Sequence, residues 1–295
     1  MTTQQGISRP DKVLYPDSGY TKADLAEYYE YVAEWMLPHL AGRPLVLHRF
    51  PDGIGKSGFY QKQAPDHLPD FVETTTVASG NERGSVRHLM VDDVDTLRYL
   101  ADQACLELHR WLSRADRIDE PDLLVMDIDP PDDVDLAVLR RTVRATSELL
   151  EDLGLSTYLM ATGGSGYHVV SPLDRSASFD DVRELVRGVA ARLAADAPDE
   201  LTTEQRIAAR RGRIFLDTNR NAYGQTAVSP YSPRARPGAP VATPIEMKEL
   251  GKVAPGGYDL RSVRRRLAQK GDPWARIHGD ARSAVDARRR LDERA

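Results

Sequence analysis

The sequence predicts a mixed α/β fold, of the α/β or α+β class, with a mixed β-sheet. Predicted strands and helices alternate between about residues 120 and 250, as expected when helices cover a sheet. The chain has 295 residues, of which 41% are hydrophobic, so it can bury one large core or two modest ones. Neither an internal repeat nor a long low-complexity segment is visible, so an ordinary globular protein is expected.

The first elements are predicted from caps and apolar spacing. Thr21 can cap a helix, and Asp24 follows at the spacing of a capping box, ahead of an apolar stripe. Residues 44–50 and 58–62 have the character of short strands around a turn rich in proline and glycine. Residues 96–111 place leucines and alanines on one helical face, which predicts a second helix.

The later elements are predicted in the same way. The predicted domain boundary is the loop over residues 116–121. Beyond it we expect strands over residues 123–129, 155–161, 213–217 and 227–231, and helices over residues 136–153, where Gly154 ends the helix, and 179–195.

Composition excludes several protein classes. The first ten residues lack the apolar stretch of a signal peptide, and no segment reaches the length needed to span a bilayer. The only cysteine is Cys105, which excludes a disulfide framework and a thiolate metal site and favours a buried structural role. A cytoplasmic protein is therefore expected.

The net charge of -5 conceals a local positive region. Residues 206–236 contain seven arginines and one acid, Asp217. A second basic group lies near the C-terminus, where a solvated helix face is the simpler explanation. The arginines that interleave with an apolar strand and a carboxylate can attract a polyanion despite the negative total.

Two apolar runs end in carboxylates. In LLVMDIDPP, Asp127 and Asp129 lie two residues apart on a predicted strand and therefore point to the same face. The run IFLD ends in the same way at Asp217. Alone, the first motif could be a solvated strand end that leads into a turn, and Asp217 could be a cap or a salt-bridge partner. Together, three carboxylates could hold a pair of hard divalent ions such as Mg²⁺ or Mn²⁺, as in phosphoryl or nucleotidyl transfer.

A glycine-rich segment, TGGSGYH, follows the predicted strand over residues 155–161. Its glycines allow a ligand to approach the backbone N–H groups, which is how many loops hold phosphate. The segment matches neither the Walker nor the dinucleotide-binding pattern, so alone it is a weak signal. It gains weight from His168 at its end and from His109, placed on the predicted helix before the aspartate strand.

The order of motifs resembles a known family. LLVMDIDPP, ATGGSGYH, RGRIFLD and AVSPYSPRARPGAPVATPIEMKEL follow one another, with DKVLYPDSGYTKADLAEYY and FYQK before them. This series resembles the polymerase domain of bacterial ATP-dependent DNA ligase D, in the archaeo-eukaryotic primase superfamily, over roughly residues 8–250. No ligase or nuclease region is visible, so a stand-alone relative is expected.

The resemblance implies a primase-polymerase fold with two mixed β-sheet modules, flanked by helices, around a central active-site cleft. It implies an N-terminal module over residues 1–120 for 5'-phosphate and template contacts, a catalytic module over residues 121–250, and a basic helical tail over residues 251–295.

Site residues follow from the resemblance position by position. The implied metal-binding and catalytic carboxylates are Asp127, Asp129 and Asp217. The implied nucleotide-binding residues are His109, Thr162, Gly163, Gly164, Ser165, His168, Arg220 and Arg234. The implied contacts to the downstream 5'-phosphate and the template are Lys12, Lys22, Phe59, Tyr60 and Lys62.

The implied activity is template-directed nucleotidyl transfer. Two Mn²⁺ or Mg²⁺ ions would assist attack of a primer 3'-hydroxyl on a bound NTP or dNTP, with a preference for ribonucleotides. The implied setting is double-strand break repair by non-homologous end joining at gapped or broken DNA ends that carry a 5'-phosphate, in a nucleoid-associated cytoplasmic protein. The implied partners are the Ku end-binding protein and a separate ATP-dependent DNA ligase.

One departure and two rival functions stay open. Ser165 stands where many relatives have lysine, and this removes one positive charge near the triphosphate. A metal-dependent hydrolase or glycosyltransferase could also use Asp-x-Asp. A non-catalytic DNA-end-binding module could use Lys12, Lys22 and the arginines while the acids remain solvated.

Overall fold

The computed structural model describes residues 6–78 and 84–294. In these ranges the chain forms seven α-helices and fourteen strands, which confirms the predicted mixed α/β class. The helices are α1 (Lys22–Leu40), α2 (Val94–Asp102), α3 (Leu136–Asp152), α4 (Phe179–Asp196), α5 (Ile207–Arg210), α6 (Leu260–Lys270) and α7 (Ala284–Asp292). The strands are β1 (Val13–Tyr15), β2 (Tyr20–Thr21), β3 (Leu45–Arg49), β4 (Phe59–Gln61), β5 (Thr74–Ala78), β6 (Ser85–Leu89), β7 (Cys105–Trp111), β8 (Leu123–Asp129), β9 (Tyr158–Ala161), β10 (Tyr167–Pro172), β11 (Leu201–Thr202), β12 (Ile214–Asp217), β13 (Thr226–Val228) and β14 (Thr243–Ile245).

The chain divides into two compact units that interleave along the sequence. Each structural unit is built from three separate segments. The functional modules implied over residues 1–120, 121–250 and 251–295 stay a prediction. The first unit comprises the chain up to Arg110, Val228–Ala242 and Tyr258–Gly271, and the second comprises Trp111–Ala227, Thr243–Gly257 and the chain from Asp272.

Helix α1 organises the core of the first unit. Its predicted capping box is confirmed, since Thr21 accepts the Asp24 N–H at 3.2 Å and the Asp24 carboxylate accepts the Thr21 N–H at 2.7 Å. Inside the helix, Leu25 and Tyr29 are fully buried in the hydrophobic core. The Tyr29 hydroxyl donates to the Cys105 carbonyl at 3.0 Å, so the helix is fixed to strand β7 by a specific polar contact as well as by apolar packing.

The helix predicted over residues 96–111 is wrong in its second half. Helix α2 ends at Asp102, Ala104 adopts a left-handed φ of 51°, and strand β7 begins at Cys105. The apolar positions of residues 104–108 fit either a helical or an alternating pattern, and packing decides for the strand. As a result His109 lies on a strand, on the same side as Glu107, two residues before it.

In the first unit, β7, β3, β6 and β5 lie side by side in that order, and β4 also pairs with β3. The pairings of β3 with β4, β6 and β7, and of β5 with β6, are antiparallel. Across three strands, Tyr60 lies opposite His48, and His48 lies opposite Glu107. Residues opposite one another in a sheet project to the same face, so these three side chains form one row.

The sheet of the second unit has the order β11-β12-β8-β10-β9-β14. Strand β11 pairs with β12 in parallel, and the other pairings are antiparallel. Strand β8, which carries the aspartates, therefore lies inside the sheet between β12 and β10. Strand β10 begins at Tyr167, inside the glycine-rich segment. This strand was not predicted from the sequence, which placed His168 only at the end of a loop.

Asn221 completes the pairing of β8 with a side chain. Strand β12 is short, and the Asn221 amide accepts the Val125 N–H at 2.9 Å and donates to the Val125 carbonyl at 2.7 Å. Asn221 is fully buried, so both polar groups of Val125 depend on it.

Replacing Asn221 with alanine is expected to lower the free energy of unfolding by about 2–4 kcal/mol, since two buried backbone groups lose their partner. Urea unfolding measures the change. Asn219→Ala, on the same turn, is the matched control, because its side chain accepts only a 3.4 Å bond from Arg183. Equal unfolding midpoints for the two variants would contradict the structural role of Asn221.

The described residues bear on two predictions made from composition, one about membrane spans and one about Cys105. Between residues 6 and 294, the gap at 79–83 aside, no helix combines the length and apolar character that a membrane span requires. Cys105 is fully buried, and burial raises the pKa of its thiol to about 12, which agrees with the predicted structural role.

Candidate active site

Four predicted site residues lie on one face of the second unit's sheet. Asp127 on β8 pairs in register with His168 on β10 and with Asp217 on β12. Asp129 follows two residues later on β8, on the same face as Asp127. The folded chain thus brings together residues that lie up to 90 positions apart in sequence, since Asp217 follows Asp127 by that distance. We refer to these four residues as the aspartate row.

Asp127 is the most strongly engaged member of the aspartate row. The Nε atom of Arg220 lies 3.1 Å from one carboxylate oxygen, and Nε2 of His168 lies 3.4 Å from the other. Burial alone would raise the pKa of Asp127, but the positive charges and hydrogen bonds of His168 and Arg220 hold it well below its usual range. Asp127 is therefore ionised at neutral pH, although only 13% of its side chain is exposed.

Asp129 shows the opposite shift. Partial burial, followed by repulsion from Asp127 and Asp217, raises its pKa, and the Arg210 guanidinium 3.1 Å away only partly offsets this. Arg210 also lies 3.8 Å above the ring of Phe215, which faces the same side of the sheet. The three carboxylates are thus close enough to repel one another, and two arginines supply compensating charge.

The aspartate row fits a hard divalent cation by its chemistry. Within the described ranges, no three side chains of Asp, Glu, His or Cys are grouped so that they could hold a metal ion as they stand. Arginines contact two of the carboxylates, those of Asp127 and Asp129. The oxygen donors of Asp127, Asp129 and Asp217 are nevertheless those that Mg²⁺ and Mn²⁺ prefer. Burial, followed by repulsion from Asp127 and Asp217, raises the pKa of Asp129, and a bound cation would relieve that repulsion.

His168 adds an unsatisfied polar atom to the aspartate row. Its side chain is 5% exposed, and in the described part of the chain its Nδ1 atom makes no hydrogen bond. Buried polar atoms usually have partners, so this nitrogen next to paired carboxylates is compatible with binding of a ligand at the aspartate row.

The first five residues of the glycine segment, residues 162–166, form the loop between β9 and β10. The Thr162 hydroxyl donates to the Gly166 carbonyl at 2.8 Å and accepts the Gly164 N–H at 3.2 Å. Gly163 has a left-handed φ of 69°, and its N–H donates to the Pro255 carbonyl at 2.9 Å. Thr162 therefore holds the loop in shape from inside, whereas a nucleotide contact by its hydroxyl stays a prediction.

Ser165, at the position where relatives often have lysine, is exposed at the tip of this loop. Gly166, at its end, packs so closely on β8 that an added Cβ would lie 3.1 Å from the Ile128 carbonyl carbon and 3.2 Å from Cδ of Pro130. The loop is thus seated directly against the strand end that carries Asp129.

A second polar cluster lies on the sheet of the first unit, centred on Glu107. One carboxylate oxygen of Glu107 lies 3.1 Å from Nδ1 of His48 and 3.0 Å from Nε2 of His109. The other oxygen accepts from Nε of Arg234 at 3.1 Å and from the Ala235 N–H at 2.9 Å. Two predicted nucleotide contacts, His109 and Arg234, are therefore joined through an acid that sequence reasoning missed.

The signal for Glu107 was its spacing. In ELH the acid and the histidine are two residues apart, so they share a face only if the segment is a strand. The helix predicted for this segment separated them. Burial alone would raise the pKa of Glu107, but the hydrogen bond from His109 and the charge of Arg234 hold it well below its usual range.

Two aromatic residues lie beside this cluster. The Tyr60 ring stacks on His48 with centroids 4.0 Å apart and an interplanar angle of 12°, yet 60% of Tyr60 is exposed. Phe59 is 46% exposed, with the Arg49 guanidinium carbon 5.4 Å from its ring centroid. Lys62 is exposed just after β4. These exposures suit the predicted template contacts, which stay predictions.

The two lysines predicted to bind the 5'-phosphate are ion-paired within the first unit. Lys12 lies 2.8 Å from Asp52, and Lys22 lies 2.8 Å from Asp102. Lys22 also donates to the backbone carbonyl and the hydroxyl of Ser8, each at 2.8 Å, and its side chain is only 8% exposed. A phosphate would have to compete with these acids for the lysines.

The lowered pKa values of Glu107 and Asp127 predict that stability falls in acid. Their contribution is complete above the unfolded pKa values of about 4.3 and 3.9, and is lost as pH falls through the lower folded values. The urea midpoint is expected to decrease between pH 6 and pH 3.5. Asp199→Asn, at an exposed site, should keep the wild-type pH dependence. A midpoint that stayed constant or rose in acid would refute this sign.

Comparisons with known proteins give consistent results. The family model for "LigD, primase-polymerase domain" matches residues 21–274. The multifunctional non-homologous end joining DNA repair protein LigD of Mycobacterium tuberculosis is 35% identical over 283 residues, which cover 93% of this chain and 37% of that protein. The Pseudomonas aeruginosa LigD protein is 31% identical over 288 residues, which cover 96% of this chain and 34% of that protein. This chain therefore spans only about a third of the length of these curated relatives.

A solved structure agrees over nearly the whole chain. The polymerase domain from Mycobacterium tuberculosis Ligase D, in complex with DNA, matches with a TM-score of 0.87 and 33% identity, covering 94% of this chain and 99% of that one. The predicted family and fold are thus confirmed. The chain belongs to the LigD primase-polymerase domain family, whose members are nucleotidyltransferases.

Proposed function

We propose that this protein extends a primer 3'-hydroxyl, directed by a DNA template, at gaps or broken ends during non-homologous end joining. The observation that carries the proposal is the aspartate row, in which His168, Asp127 and Asp217 lie in register on three adjacent strands. Catalytic acids on paired strands keep their spacing because the ladder of backbone hydrogen bonds fixes it. Such rigid positioning is what nucleotidyl transfer requires from the protein.

Asp127, Asp129 and Asp217 would hold two divalent ions, Mn²⁺ or Mg²⁺. When bound, these ions would lower the pKa of the attacking hydroxyl and stabilise the charge of the leaving pyrophosphate. The low pKa of Asp127 supports this role, since the carboxylate is ionised without metal at neutral pH. Arg220 and His168, which contact Asp127, would turn to the phosphates of the nucleotide as cations replace them at the carboxylate.

The remaining predicted contacts fall into two groups, those to the nucleotide and those to the DNA. Arg234 would bind the triphosphate and His109 the nucleotide. Gly163, Gly164 and Ser165 would also contact the nucleotide. Thr162 would hold this loop in shape, as its bonds to Gly164 and Gly166 indicate. The DNA contacts would be Lys12 and Lys22 on a 5'-phosphate, with Phe59, Tyr60 and Lys62 along the template.

Primer extension tests the proposal. A labelled primer across a short gap with a downstream 5'-phosphate is supplied with Mn²⁺ or Mg²⁺ and each nucleotide in turn. The expected result is addition of only the template-matched nucleotide. No addition with either metal, while DNA still binds, would overturn catalysis and leave the end-binding module. Strand cleavage or turnover of a nucleotide-sugar in place of extension would instead identify one of the rival enzymes.

The sugar preference is a separate prediction. We expect ribonucleotides to be added more efficiently than deoxynucleotides in the same assay, as the family resemblance implies. The ratio of kcat/KM for the matched ribonucleotide and deoxynucleotide measures it, with the metal held constant. A ratio at or below unity would refute the preference without affecting the proposed polymerase activity.

The proposed function in end joining also includes partnership with Ku and with a separate ATP-dependent ligase.

A further inference from the structure

We infer that Glu107 is a positioning residue that aligns Arg234 and His109 for the incoming nucleotide and, through His48, also orients Tyr60. The inference rests on the proposed function, because it concerns how that function's nucleotide contacts are held. Glu107 belongs to none of the catalytic or binding sets predicted from the sequence. The structure nevertheless places it at the centre of the polar cluster on β7 and β3.

Geometry gives Glu107 four donors. Its two oxygens accept from His48, His109, Arg234 and the Ala235 backbone, at distances between 2.9 and 3.1 Å. The Glu107 side chain is only 6% exposed, so water cannot easily replace a lost partner. An ionised carboxylate has acceptor sites for all four donors and carries no hydrogen that it could donate. All four donors are therefore paired only when both atoms at the end of this side chain can accept hydrogen bonds.

The same geometry fixes the protons of the two histidines. Because Glu107 can only accept, Nδ1 of His48 and Nε2 of His109 must each carry a hydrogen, whether the ring is neutral or charged. Each imidazole is therefore held in one orientation, with one nitrogen assigned as donor. A residue that contacts a nucleotide must present a defined donor or acceptor, so this constraint is useful for binding.

Arg234 is constrained in a complementary way. Glu107 binds its Nε atom, and the adjacent Ala235 N–H binds the same oxygen, so both the side chain and the backbone of this turn are anchored. An arginine held by Nε keeps its terminal nitrogens in a fixed plane, which suits a phosphate. On the other side of the cluster, the half-exposed Tyr60 ring stacks on His48 and so inherits its orientation.

Glu107→Gln tests the inference with almost no change in volume. The glutamine amide has one acceptor oxygen and one NH₂ group, which can only donate. The NH₂ group would therefore lie opposite either the two histidine N–H groups or the N–H groups of Arg234 and Ala235, and no hydrogen bond could form there. We expect KM for the nucleotide to rise at least about tenfold, from the loss of charge-assisted bonds, while kcat changes less than about twofold. The expected split arises because Glu107 positions binding residues and touches no reacting atom.

Two further measurements separate positioning from general damage. In the Arg234→Ala background, Glu107→Gln should have much less effect on KM than in wild type, because the residue it positions is gone. Nitrogen-15 NMR of the histidine rings should show altered protonation of His48 and His109 in Glu107→Gln. His48→Gln and His109→Gln assign the two signals.

The matched control is Asp122→Asn. Asp122 is another buried acid that holds an arginine, with Arg114 Nε at 3.0 Å, but it lies in the second unit before β8, outside the aspartate row. It should alter stability and leave the nucleotide KM unchanged. An unchanged KM in Glu107→Gln, full additivity with Arg234→Ala, or unchanged histidine signals would overturn the inference. The NMR result and direct titration of nucleotide binding do not need turnover, so they distinguish this failure from a failure of the proposed activity.

Discussion

Replacement of Asp127 with alanine is expected to abolish primer extension. The ions proposed at the aspartate row contribute several kcal/mol of transition-state stabilisation, so their loss should lower the rate by on the order of 10³-fold or more. Asp127 is the member with His168 on one side and Asp217 on the other in the same ladder position.

Asp217→Ala should give the same loss, since its carboxylate lies opposite Asp127 on β12. Single-turnover primer extension with saturating nucleotide and metal measures both variants. Removal of Asp127 also leaves Arg220 and His168 without their shared partner, so Asp127→Asn is included as a variant of nearly equal volume.

Asp122→Asn serves as the control for the loss of a buried acid, and it should retain extension. Circular dichroism and DNA binding verify that each variant is folded. Extension by folded Asp127→Ala and Asp217→Ala at near wild-type rates would show that the aspartate row is not catalytic. The end-binding function would then become the better explanation, provided that DNA binding survives in both variants.

The aspartate row could be predicted because its signals are local. The apolar run before Asp127 and the proline pair after Asp129 define a strand and its end, and the alternation of side chains places both acids on one face. Asp217 is predicted by the same pattern, because the apolar run IFLD also ends in an acid. These local patterns do not show which strands are neighbours in the sheet. The register that places Asp127 opposite Asp217 is set by tertiary structure.

The cluster around Glu107 shows where sequence reasoning failed. Leu97, Leu100, Ala101 and Ala104 gave a helical pattern that continued into Leu108 by coincidence of spacing. The structure breaks the helix at Asp102, with Ala104 in a left-handed turn conformation that only context could require. Because a helix and a strand put different residues on one face, a single error of element type concealed the acid that joins His109 to Arg234.

The arginines were predicted as a charged region but not as partners of particular acids. In the structure, Arg220 engages Asp127 and Arg210 engages Asp129. Such pairs depend on where the turn after β12 and the short helix α5 fall in space, which local propensity does not determine. The consequence for the proposed function is that the two guanidinium groups only partly offset the charge of the three carboxylates, and a bound cation would have to displace them from Asp127 and Asp129.

Replacement of Gly166 with alanine is expected to have the largest effect on stability. An added Cβ would overlap the Ile128 carbonyl oxygen, which is backbone and cannot rotate away, and would press on Pro130 as well. Strand β10 would have to separate from β8 at its first pair, Tyr167 with Ile128. Overpacking of this kind should lower the free energy of unfolding by about 3 kcal/mol or more.

Urea unfolding of Gly166→Ala, with Gly251→Ala as the matched control, tests this expectation. A Cβ at Gly251 meets no heavy atom within 4 Å, so that variant should stay within about 0.5 kcal/mol of wild type. Because the strained pair is adjacent to the pairing of His168 with Asp127, the glycine variant should also lose primer extension under conditions in which it is still folded. Equal urea midpoints for the two variants would mean that β10 can shift without cost, and that the close packing of the loop on β8 does not hold the aspartate row in register.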